Sequence, residues 1–322
     1  DAVRKEKRMA RKSIQYELVQ NAIIGITDMH TVKAYKKDCK LFAVYCREHG
    51  AKKIEDVKNN PVLFLQQYEK QLEKCGYTPA TIHRRLAAPC KGLGICMAEI
   101  KKPRRMSGQI VRSRGNKNLQ GEREEEKKRY ARVVKLQRSI GLRRSELARL
   151  TGKDLCKDES GYWAVHVVRG KGGKEQWQRI LPENVEQVRQ VFADLESGQK
   201  VFSSKEMNNK IDLHRMRREC AQKAYEYYLQ RIRAEPEYAK QAKIELIKRY
   251  ICCNKNVTKE KAIQWLFQNI RQGQPYLVRG DNREKALAQN KPVQYDRLAL
   301  LMVSVFHLSH WRLDVTITNY II

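Results

Sequence analysis

Four short patterns follow one another along the chain. They are Gly141-Leu142-Arg143-Arg144-Ser145-Glu146-Leu147, ending at Asp154; Gly170-Lys171-Gly172-Gly173-Lys174; His214-Arg215-Met216-Arg217; and Leu308-Ser309-His310-Trp311, followed by Tyr320. Their residue types suit attack on a phosphodiester, which is anionic and has a poor alkoxide leaving group. Arginine is a permanent, planar, forked donor that holds non-bridging phosphate oxygens bidentately. Arg143 and Arg217, on separate helices, could clamp one phosphate and stabilise the charge of its transition state. Tyrosine can act as a covalent nucleophile when a neighbouring group takes its proton.

Each pattern is weak on its own. Gly-Leu-Arg-x-Ser-Glu is commonly a charged helix start, and His-x-x-Arg is common on helix surfaces. The Gly170–Lys174 stretch is not a phosphate-binding P-loop, because its spacing is wrong and no Ser or Thr follows Lys174. Their joint occurrence in this order carries the weight. His307 competes with His310, and Lys174 with Lys171, but the Leu-Ser-His-Trp context favours His310. Asp154 reads as a turn residue. Trp163, Trp177, Trp265 and Trp311 read as core aromatics, with Trp311 placed to brace the site.

With these residues in view, the chain resembles the tyrosine recombinases: phage integrases, Xer-type recombinases and integrases of conjugative transposons. The family's pattern falls on Arg143, Lys171, His214, Arg217, His310 and Tyr320, with Glu146 at its acidic position. The resemblance implies that Tyr320 attacks a strand, forms a 3′-phosphotyrosyl link and frees a 5′ hydroxyl. Lys171 would give the leaving oxygen its proton. His214 would take the proton of Tyr320, and His310 would donate to a phosphate oxygen. Glu146 would hold Arg143 or His214. The covalent link keeps the phosphodiester energy, so rejoining requires no ATP. The arginines would supply the electrostatics, so neither metal nor cofactor is expected, and the sequence has no carboxylate cluster of the two-metal type.

The expected function is site-specific cutting and rejoining of double-stranded DNA, in the integration and excision of a mobile element. The family's habit implies a homotetramer on two duplexes and allows an accessory DNA-bending protein. Type IB topoisomerases and telomere resolvases share the chemistry. A non-catalytic DNA-binding regulator is the alternative from another class.

Composition agrees with a polyanionic partner. The 322 residues include 66 Lys and Arg against 36 Asp and Glu, a net charge of +30. The excess is spread, with net +15 in each of 1–117 and 118–322, unlike a single basic membrane-surface helix. The longest apolar run, Leu298 to Val303, is too short to span a bilayer, and Asp1 opens a charged stretch without a leader's apolar core. The nine cysteines have no C-x-x-C pair, which points to reduced thiols in a cytoplasmic protein; the family resemblance implies association with the bacterial nucleoid when bound to DNA.

The elements that must position the site are mostly helical. The length suits two domains. Residues 1–100 read as a helical, core-binding DNA domain, with helices over Val32–His49, Pro61–Cys75 and Ala80–Gly92. The third carries His83, Arg84 and Arg85 as candidate DNA contacts. Residues 101–117 read as a basic linker, adding Lys101, Lys102, Arg104, Arg105, Arg112 and Arg114 as DNA-contact candidates. Residues 118–322 read as a mainly helical catalytic domain with a small antiparallel sheet. Trp163, Val165 and Val167 alternate in one strand, and Trp177–Leu181 returns as its partner. The polar stretch 225–295 reads as an insertion, because Arg217 and His310 lie farther apart than is usual in the family.

Overall fold

A computed structural model describes residues 13–105, 120–170, 173–254 and 256–322, with the side chains of 120–123 left aside. The chain is mainly helical with a small three-stranded antiparallel sheet, and it divides into two compact units, 1–111 and 112–322.

In the first unit, helix α1 (Ile14–Ile23), α2 (Met29–Glu48), α3 (Ile54–Lys58), α4 (Pro61–Lys74) and α5 (Pro79–Leu93) enclose one core. Leu18, Phe42, Leu65, Ile82 and Leu86 are buried in it. Local chemistry sets the boundaries. The Thr78 hydroxyl caps α5, Pro79 opens its first turn, and Gly94 ends it with φ 72°. Gly92 lets α1 and α5 pack closely, since a Cβ there would sit 2.7 Å from the Leu18 carbonyl oxygen.

In the second unit, α6 (Gln120–Arg129) and α7 (Ala131–Ile140) lead into the short α8 (Arg144–Leu147). Strands β1 (Leu155–Lys157), β2 (Trp163–Val167) and β3 (Gln176–Arg179) follow, in the order β1-β2-β3 with Val165 opposite Gln178. Val165 and Val167 enter the core, with Trp163 packed against it. The strand β1 was not visible in the sequence pattern. Helices α9 (Val185–Phe192) and α10 (Ser204–Met207) precede the long α11 (Leu213–Ala234).

The polar stretch after α11 is ordered. It forms α12 (Pro236–Cys253), α13 (Lys259–Ile270), a two-stranded ladder of β4 (Tyr276–Leu277) and β5 (Gln294–Tyr295), and α14 (Asp281–Ala288) between those strands. Residues Leu298–Leu308 are buried all round, as a central core helix should be. They comprise α15 (Arg297–Met302) and a π-type turn, Val303–His307. Helix α16 (Leu313–Thr316) runs into a second π-type turn, Ile317–Ile321, which carries Tyr320. Among the described residues, no helix is long and apolar enough to cross a membrane.

Candidate active site

Gly141 starts the site. It ends α7 with φ 61°, and a Cβ there would lie 2.9 Å from Cys220 Cβ on α11. The glycine thus turns the chain and lets α11 approach its backbone. Gln137, buried on α7, donates from Nε2 to the carbonyls of Leu142 at 2.8 Å and Leu213 at 2.6 Å. It ties the first arginine loop to the start of α11. Arg144 does the same from outside, donating to Asn209 Oδ1 at 2.9 Å and to the Ile211 carbonyl at 2.6 Å. Neither residue carries a chemical signal in the sequence.

Arg143 occupies the N-cap of α8. Its Nη1 donates to Glu146 Oε1 at 2.6 Å, while its backbone N–H donates to Oε2 at 2.9 Å. The structure thus pairs Glu146 with Arg143, one of the two partners suggested for it. Arg217 is fully buried on α11. It donates from Nη1 to the Gly141 carbonyl at 2.7 Å and from Nη2 to the Leu308 carbonyl at 2.8 Å. One guanidinium thus bolts the first motif to the last. Its Nη1 lies 3.7 Å from Glu146 Oε2, and among the described residues its Nε has no hydrogen-bond partner. Burial pulls the Arg217 pKa below its ordinary value, Tyr320 and Glu146 oppose that pull, and Arg143 adds to it. Two guanidiniums therefore share one carboxylate in a dry setting, an electrostatic surplus suited to an anion.

His310 sits on a strained loop. Ser309 and Trp311 on either side have φ of 52° and 59°, a conformation costing non-glycine residues about 1–3 kcal/mol each. Trp311 supports the loop by packing 5.6 Å from Trp265, which stacks at 4.3 Å on Tyr250. His310 Nε2 lies 3.0 Å from the Tyr320 hydroxyl, and its Nδ1 lies 3.5 Å from Arg143 Nη2. Arginine can only donate, so Nδ1 accepts. A neutral imidazole then carries its hydrogen on Nε2 and donates it to the phenolic oxygen. His214 completes the group, its ring centre 5.5 Å from that of Tyr320. The ring of Tyr320 is buried and lies 5.7 Å from the Arg217 guanidinium carbon.

The structure thus brings together Arg143, Glu146, His214, Arg217, His310 and Tyr320. Lys171 lies outside the described residues; on either side of it, the Gly170 N–H donates to the Lys174 carbonyl at 2.6 Å. Lys174 itself is exposed there. His307 is elsewhere, buried at 2.8 Å from the Tyr228 hydroxyl, with its pKa pushed down to about 3 by burial and nearby arginines. Asp154 accepts from the Thr151 N–H at 2.7 Å and shapes the turn. Beside the site, a cleft of about 540 Å³ is lined by Arg143, His214, Met207 and Ile211 among others. Among the described residues, no cluster of His, Cys, Asp and Glu could hold a metal ion.

The candidates on α5 have partners within the first unit. Arg84 pairs with the buried Asp38 at 2.8 Å, Arg85 lies 4.0 Å over the Tyr77 ring, and His83 Nε2 is 2.9 Å from the Pro103 carbonyl. Lys102 points its amine at the carbonyls of Met97 and Ile100, and Lys101 bonds Gln66 through its backbone. Arg104 and Arg105 are exposed, while Arg112 and Arg114 lie outside the described residues.

No family model matches the chain, and no curated protein does. Among solved structures, the crystal structure of XerA recombinase is similar over 87% of this chain and 98% of that one, at 14% identity and a TM-score of 0.25. A likeness that slight carries no argument about fold or function.

Proposed function

We propose that this protein cuts and rejoins DNA strands through a covalent bond between Tyr320 and a 3′ phosphate. The observation that carries the reading is the Tyr320 hydroxyl, held 3.0 Å from His310 beside a pair of arginines that share a single carboxylate. A phosphate entering there would meet Arg143 and Arg217 as bidentate donors and supply the anion that the pair lacks. The phenolic oxygen would attack phosphorus as the bond to the 5′ oxygen breaks. The phenol's proton would pass to His214, because His310, fixed by Arg143, presents its own N–H to the phenolic oxygen. Lys171 would protonate the departing 5′ oxygen. Rejoining reverses each step.

The finer reading follows the sequence resemblance. It makes the protein a site-specific recombinase of a mobile element, acting as a tetramer on two duplexes, with residues 1–100 gripping DNA from a separate domain. The test is a duplex selected by the full chain from a random pool and nicked at successive positions, so that the cleaved end diffuses away. Wild type should accumulate a denaturant-stable adduct in the presence of chelator, while Tyr320→Phe binds the duplex and forms none. An adduct formed equally by Tyr320→Phe would move the nucleophile elsewhere. Efficient relaxation of any supercoiled plasmid would favour a topoisomerase over a recombinase.

A further inference from the structure

The last turn of a helix leaves carbonyl groups without intrahelical partners, and cations or amides nearby satisfy them. The turn that carries Tyr320 is finished by residues from distant elements. The Ile321 carbonyl, one residue past the phenol, accepts from Lys291 Nζ at 2.9 Å and from Gln222 Nε2 at 3.2 Å. Two residues before the phenol, the Thr318 hydroxyl accepts from Asn282 Nδ2 at 3.3 Å. Asn282 opens α14, and Lys291 follows that helix, so one short segment of the polar stretch touches the tyrosine turn on both sides of Tyr320. Gln222 lies on α11, five residues beyond Arg217, and therefore refers the same carbonyl to the arginine's own helix.

From this we infer that Lys291, Gln222 and Asn282 are positioning residues that hold the Tyr320 turn in register with the arginine pair. The inference rests on the strand-cleavage reading and gives 282–291 a part in it. The physical need is clear. A π-type turn is a rare departure from α-helical geometry that recurs at functional sites. An attacking atom displaced by about 1 Å can lose about 10²-fold in rate. Lys291 is half-buried near Arg218 and Lys285, and burial followed by those two cations lowers its pKa. A lysine placed where its charge is disfavoured, yet bonded to the carbonyl beside the nucleophile, is better explained by that bond than by solubility.

The test measures single-turnover adduct formation on the nicked duplex at saturating DNA, alongside DNA affinity and thermal stability. Lys291→Met and Gln222→Met should each slow adduct formation about 10- to 100-fold. Lys291→Arg should restore most of the rate. Gln222→Met changes no charge, so its affinity for DNA should match wild type. A fluorotyrosine at position 320 should show a shifted or broadened fluorine resonance in both methionine variants. Rates equal to wild type in both variants, or rate losses fully accounted for by weaker DNA binding, would overturn the inference. If wild type itself forms no adduct at Tyr320, the functional reading fails first and this inference falls with it.

Discussion

Two buried ion networks in the second unit use the same residue types to opposite ends. In one, Arg179 meets Asp158 and Glu245, and Arg249 meets Asp158 at 2.8 Å and Glu159 at 2.7 Å. Three carboxylates answer two guanidiniums. Both arginines also lie over the Phe306 ring, and Arg249 donates to the Trp177 carbonyl. In the other, among the described residues, Arg143 and Arg217 share the single carboxylate of Glu146, and Arg217 Nε has no hydrogen-bond partner. The first network staples the sheet to α12 and to the core helix beneath His310. Among the described residues, the second holds two guanidiniums against one carboxylate, an arrangement suited to an incoming anion. Burial of arginine is thus no guide to its work; the number of carboxylates around it is.

Breaking the staple should have the largest effect on stability. Arg249→Ala leaves Asp158 and Glu159 with less positive charge in a dry setting, and should destabilise the protein by about 3–5 kcal/mol in urea unfolding. Arg143→Ala should invert the pattern. Cleavage should fall about 10²–10³-fold, or about 3–4 kcal/mol of transition-state stabilisation, with a smaller loss of folding stability than Arg249→Ala. Equal stability losses with cleavage intact would erase the distinction between the two networks.

His307 reports on the staple more gently. Burial, then Arg179, Arg249 and Arg217, hold its pKa down to about 3, so the folded protein keeps it neutral while the unfolded chain protonates it near pH 6.5. The unfolded state therefore gains protons first as pH falls. Stability is full above about pH 6.5 and is lost progressively toward pH 3, by about 2 kcal/mol at pH 5 from this group. Urea unfolding at pH 7 and pH 5 should show that loss in wild type and a smaller one in His307→Gln. An equal loss in the variant would assign the acid sensitivity elsewhere.

The same contrast explains what could be read from the sequence. The arginines, histidines and tyrosine stood out because their types and order match phosphoryl-transfer chemistry, and the structure places the described ones side by side. Helix α12 did not stand out. Its inward positions are Tyr238, Ala242, Glu245, Leu246 and Arg249, a regular helical period in which two members are charged. Hydrophobic pattern alone reads such a helix as polar and unpartnered. The loop around His310 was equally hidden. Backbone strain at Ser309 and Trp311 and the tautomer imposed by Arg143 depend on neighbours far away in sequence. The basic residues of α5, candidate DNA contacts in the sequence, engage Asp38 and Tyr77, partners that the sequence pattern did not show.

The central claim is a bond between one phenolic oxygen and phosphorus. It is tested most directly by digesting the trapped adduct with protease and nuclease and locating the added nucleotide by mass spectrometry. The account predicts a nucleotide on the peptide that contains Tyr320 and on no other, undiminished by chelator. A nucleotide on another residue, or an unmodified Tyr320 peptide from material that has cut its DNA, would contradict it.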